Sequence, residues 1–76
     1  MSNTATGVEL DEVGELLDRL GDLGVTVRER RRRLVVRGQP GFEHDTAVQA
    51  LVARLRGHHA TEPDDVLAIV RRRAGG

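Results

Sequence analysis

The apolar residues change period at Gly24. Before it, Leu10, Val13, Leu16, Leu17 and Leu20 recur at steps of three and four, which places them on one stripe of an α-helix. After it, Val25 and Val27, then Leu34 and Val36, recur at steps of two, which places them on one face of extended strands. Two strands do not hold together alone in water, so the apolar face of the hairpin must be laid on the helices around a shared core.

Local signals set the boundaries. Thr6 to Glu9 reads as a capping box, so a first helix is predicted over about 8–22, with Leu23 closing its stripe and Gly24 as a left-handed C-terminal cap. Strands follow at about 25–29 and 33–37. The link from Glu29 to Arg32 holds no Asn-Gly or Asp-Gly, which predicts a four- or five-residue connection rather than a tight primed turn. Gly38-Gln39-Pro40-Gly41 ends the second strand, since proline brings no N–H and glycine accepts positive φ. Phe42 then reads as a core plug.

Asp45 caps a second helix over about 45–56, stepping through Ala47, Val48, Leu51, Val52 and Leu55 and stopping at Gly57. His58 and His59 fall in the following loop. Thr61 reads as the cap of a third helix over about 62–73, with Pro63, Asp64 and Asp65 in its first turn, Val66, Leu67, Ile69 and Val70 on its buried face, and Arg71 to Arg73 at its C-terminal end. The prediction is a small α+β domain of order αββαα, a two-stranded antiparallel hairpin packed on three helices. Residues 1–76 form a single domain, with 74–76 as the start of a linker.

At 76 residues the chain buries only ~60% of its unfolded surface, which leaves little room for an enclosed active site. It has no cysteine, so neither a disulfide nor a thiolate metal site supplements the core. Apolar runs are far shorter than the ~20 residues that span a bilayer, and the opening Met-Ser-Asn-Thr-Ala-Thr-Gly lacks the basic and apolar regions of a signal peptide. These features predict a soluble, cytoplasmic protein with no membrane association.

Twelve basic residues balance twelve acidic ones, yet the charge is polarised along the chain. Residues 1–24 hold Glu9, Asp11, Glu12, Glu15, Asp18 and Asp22 against Arg19 alone. Residues 25–38 hold Arg28, Arg30, Arg31, Arg32, Arg33 and Arg37 against Glu29 alone. Half of the arginines therefore straddle one hairpin, along an edge that attracts further strands unless it is covered or charged.

This order, with Leu16-Leu17-x-x-Leu20, Gly24-Val25-x-Val27, Arg33-Leu34-x-Val36 and the Pro40-Gly41 break, resembles the TubC-like β-hairpin docking domains at the N-terminus of nonribosomal peptide and polyketide synthetase subunits. The likeness covers residues from about 10 to 41. It implies a non-catalytic domain, without cofactor, that binds the C-terminal short linear motif of an upstream synthetase subunit as a strand added beside the second hairpin strand. Carried onto this chain, Arg33, Leu34, Val35, Val36 and Arg37 form the receiving strand, and Arg30, Arg31 and Arg32 supply charge contacts to an acidic tail. If the closing glycines start a linker, the chain is the N-terminal piece of a larger synthetase subunit.

Nucleic-acid binding is the main alternative, because the arginine run suits phosphates and a two-stranded ribbon can enter a major groove. Zero net charge, an acidic first helix and a lone aromatic, Phe42, argue against it. A third reading is that the arginines merely keep an exposed edge from pairing. His44, His58 and His59 lack the three or four converging ligands that zinc holds at ~2.0–2.3 Å, so no metal site is predicted. No nucleophile elbow or phosphate-binding glycine loop is present. The closing Arg-Arg-Arg-Ala-Gly-Gly invites comparison with ubiquitin-like modifiers, but a chain that opens with a helix and has two strands does not fit that fold. A homodimer through the helices is left open, since a small domain gains buried area that way.

Overall fold

The computed structural model describes residues 3–75, and the side chains of residues 12–73. It is an α+β domain of order αββαα: α1 (Asn3–Asp22), β1 (Thr26–Arg30), β2 (Arg33–Arg37), a single 3-10 turn at Phe42–His44, α2 (Thr46–Thr61) and α3 (Pro63–Gly75). α1 begins earlier than predicted, which puts Thr6 within the helix rather than at its cap. The apolar stripe that located the helix starts at Leu10 and says nothing about turns before it. The side-chain pairing proposed for Thr6 and Glu9 and the buried position proposed for Leu10 lie outside the described side chains.

α1 ends as its sequence dictates. Gly24 has φ of 79°, and the Val25 N–H donates to the Leu20 carbonyl at 2.8 Å while the Gly24 N–H donates to the Gly21 carbonyl at 3.0 Å. These are the two bonds of a Schellman motif, in which a left-handed residue lets the chain double back over the last turn. Its consequence is tertiary: Val25, 3% exposed, is turned directly into the core beside Leu20.

The strands pair antiparallel with Thr26 opposite Arg37, Val27 opposite Val36, Arg28 opposite Val35, Glu29 opposite Leu34 and Arg30 opposite Arg33. The connection is therefore Arg31 and Arg32 alone, with φ of 52° and 64°. This corrects the predicted four- or five-residue link. Positive φ at both central residues is the signature of a type I′ turn, whose twist matches that of the flanking strands. The left-handed region costs an L-residue roughly 1–2 kcal/mol, and neither arginine has the short side chain that lowers that cost in Asn. Two contacts offset it. The Glu29 carboxylate accepts from the Arg32 backbone N–H at 2.9 Å, and the Arg32 guanidinium pairs with Asp64 in the first turn of α3.

After β2, Gly38 admits the Phe42 ring so closely that a Cβ there would lie 3.0 Å from it. Phe42 is half-buried against the core, in keeping with its predicted role. Asp45 caps α2, its carboxylate accepting from the N–H groups of Ala47 at 3.0 Å and Val48 at 3.3 Å.

α2 does not stop at Gly57, and His58 and His59 are helical rather than in a loop. A glycine inside a helix costs only about 1 kcal/mol, and here the following turn is tied down, His58 to Glu12 of α1 and the Thr61 hydroxyl to the carbonyls of Gly57 and His58. Thr61 is thus the last residue of α2 and not the cap of α3, which starts at Pro63 after the single residue Glu62. The core joins Val13, Leu16 and Leu20 of α1, Val25 and Val27, Leu34 of β2, Val48, Val52 and Leu55 of α2, and Val66, Leu67 and Val70 of α3.

The turn gives a direct test. Replacing Arg31 by Asn and Arg32 by Gly installs residues suited to positive φ and removes one exposed ion pair, worth ~0.2–1 kcal/mol. The double variant is expected to be about 1–2 kcal/mol more stable than the wild type in urea denaturation. A loss of stability would mean that the arginine contacts outweigh the backbone cost.

Candidate partner-binding edge

Pairing alternates along an antiparallel hairpin. Arg30 and Arg33 flank a two-residue turn and exchange both backbone bonds, so Arg28 and Val35, then Thr26 and Arg37, do the same. By that alternation the backbone groups of Leu34 and Val36 point away from β1. Among the described residues, no loop or helix backbone bonds to them. β1 lies against α3 and α1, whereas β2 has β1 as its principal neighbour. Neither outer edge of the sheet carries a loop or helix backbone bond among the described residues, and the edge of β2 is the one less covered by the helices, the open edge of the sheet.

The same register sorts the side chains. Val25, Val27, Leu34 and Val36 face the core, and Leu34 is 8% exposed. Thr26, Arg28 and Arg30 of β1 share the opposite face with Arg33, Val35 and Arg37 of β2. Four guanidinium-bearing residues thus surround one half-buried valine. A shallow concavity of about 470 Å³ lies along this face, lined by Thr26, Arg28, Arg30, Val35 and Arg37 with Glu29. Arg30 and Arg33 stand directly opposite each other, an arrangement of like charges that disfavours the hairpin by roughly 0.2–1 kcal/mol.

The remaining residues named from the sequence go elsewhere. Arg31 sits at the turn, and with Arg30, Arg33, Leu34 and Val35 lines a second hollow at the tip of the hairpin. Arg32 is turned back onto Asp64. Among the described residues it is the one hairpin arginine with an ion-pair partner: Arg28, Arg30, Arg31, Arg33 and Arg37 have none. Arg28 was not among the candidate residues. Its parity with Arg30 could have shown that the two share a face, but the register was needed to set it opposite Val35. Arginine stays protonated throughout the working range and offers only donors, so this surface can bind anionic and acceptor groups and is poorly suited to transfer protons.

No protein-family model matches the sequence, no curated protein matches it, and no solved structure matches the fold. The likeness to docking domains therefore stands on the residues alone. Among the described residues, no group of three or more His, Asp or Glu side chains could hold a metal, and no helix is long and apolar enough to cross a membrane.

The most engaged polar cluster lies away from the hairpin, between α1 and α2. The Glu12 carboxylate accepts from His58 Nε2 at 2.6 Å and from Arg54 Nη2 at 2.7 Å. These bonds, chiefly that from His58, hold the Glu12 carboxyl below its ordinary value of 4.5 against the opposing effect of burial. With both oxygens engaged, the group works as a strap between the helices. A depressed folded-state pKa stabilises the fold fully above the unfolded value and loses that contribution as pH falls through the folded one. Glu12→Gln should therefore be less stable than the wild type at pH 6, with the gap closing below pH 4.5. Urea midpoints measured from pH 7 to pH 3 check this, and a constant gap would show that the charge of Glu12 is immaterial.

Proposed function

We propose that this chain is a non-catalytic docking domain that captures an acidic, extended peptide by strand addition to β2. The observation that carries the reading is the coincidence of an open strand edge with a face of arginines that have no acidic partner among the described residues. Backbone groups of Leu34 and Val36 hold the added strand, whatever its side chains, and Arg30, Arg33 and Arg37 select among tails by charge. Arg31 extends the positive surface to the tip. Following the resemblance over residues from about 10 to 41, the tail is the C-terminus of an upstream subunit of a cytoplasmic peptide or polyketide assembly line, and the domain sets the order of the subunits. Binding on the order of micromolar, roughly −8 kcal/mol, suits such an exchangeable contact.

Replacing Arg33 and Arg37 together by Glu tests the reading, because both are exposed and lie on the face away from the core. Exposed ion pairs contribute ~0.2–1 kcal/mol each and reversal swaps attraction for repulsion, so a loss of roughly 1–3 kcal/mol is expected, about ten- to hundredfold in affinity. The measurement is calorimetry with a peptide copy of an upstream subunit's acidic C-terminus, with circular dichroism to check folding. Changing the acids of that peptide to lysine should restore binding to the double variant and abolish it on the wild type. If the wild type instead bound random duplex DNA with a steep salt slope and ignored the peptide, the arginine face would be a phosphate-binding surface.

A further inference from the structure

Resting on the strand-addition reading, we infer that the captured segment alternates: acids at every second residue, including one opposite Val35, and apolar residues between them. The register requires it. A strand laid beside β2 presents the residues opposite Arg33, Val35 and Arg37 on the arginine face, and those opposite Leu34 and Val36 on the face that meets the core. Val36 is half-buried at the open edge, so an apolar side chain beside it extends the core, and a charged one there loses solvent without gaining a partner.

The central position is the less obvious one. Its neighbour on β2 is Val35, which carries no charge, yet behind Val35 stands Arg28. Neighbouring strands are about 4.8 Å apart, so two spacings separate β1 from the added strand, on the order of 10 Å. An arginine and a glutamate extended toward each other over a short valine span that gap. Arg28 has no ion-pair partner among the described residues and stands on the open face. Arg28 thus reads the centre of the segment from the second row, while Arg33 and Arg37 read its ends from the first. The readable stretch is about five residues, the length of β2 itself.

Two peptides of one composition separate parity from net charge: Glu-Val-Glu-Val-Glu and Glu-Glu-Glu-Val-Val, each flanked by Gly-Ser and titrated into the full chain by calorimetry. The alternating peptide should bind about tenfold more tightly. Exchanging its central Glu for Gln should weaken binding severalfold to the wild type and leave binding to Arg28→Gln unchanged, the coupling expected of a direct pair. On binding, the edge amides of Leu34 and Val36 should become protected from hydrogen exchange in the wild-type protein, and Val36→Pro, which removes one outward N–H, should weaken both peptides. Equal affinity of the two peptides, with the edge amides protected, would overturn the alternation and leave strand addition standing. Alternation without coupling between Arg28 and the central Glu would overturn the second-row role. If neither peptide protected those amides, the alternation and the strand-addition reading would fall together.

Discussion

The left-handed pair at Arg31 and Arg32 is the constraint on which the rest of the hairpin depends. A side chain in a strand changes face with each residue, so a link one residue longer would move every residue of β2 to the other side of the sheet. Leu34 and Val36 would leave the core, and Arg33 and Arg37 would be driven into it. The two-residue turn prevents this at a backbone cost that Glu29 and Asp64 offset, one by accepting from the Arg32 N–H and the other by pairing with its guanidinium. The arginine run thus has two parts. Arg32 holds the turn, and its neighbours stand on a surface where they have no acidic partner among the described residues.

The helices divide the sheet unequally. α3 and α1 pack on β1, and the tight reversal at Gly24 keeps β1 at the end of α1, so the strand beside them is sheltered and β2 faces outward. An open edge is ordinarily a route to aggregation, countered by charge and shortness. β2 has both, with five residues and an arginine at each end. The same charges that discourage another basic edge from pairing would favour an acidic one, so under the proposed function protection from self-pairing and choice of partner come from one set of side chains.

Among the described residues, the ion pairs and the His58–Glu12 hydrogen bond join elements far apart in sequence rather than bracing single helices. Glu12 reaches Arg54 and His58 from α1 to α2, Asp18 reaches Arg73 from α1 to α3, and Arg32 reaches Asp64 from the turn to α3. Each is exposed or half-exposed, so each contributes modestly to stability. Their effect is on geometry: His58 helps carry α2 past Gly57, and Arg32 helps hold the primed turn.

By itself the sequence determined the order of elements, the cap at Gly24, the cap at Asp45 and the parity that separates Val27, Leu34 and Val36 from Arg33, Val35 and Arg37. These are local properties: hydrophobic period, capping chemistry and the φ preference of glycine act over a few residues and are written where they act. It did not determine the length of the turn, the continuation of α2 through His58 and His59, or the place of Arg28 behind Val35. Each of those turns on a partner remote in the chain, Asp64 for the turn, Glu12 for the last turn of α2 and the opposite strand for Arg28. Only the tertiary structure decided which edge of the hairpin stays open, because that depends on where the helices lie once the core has closed.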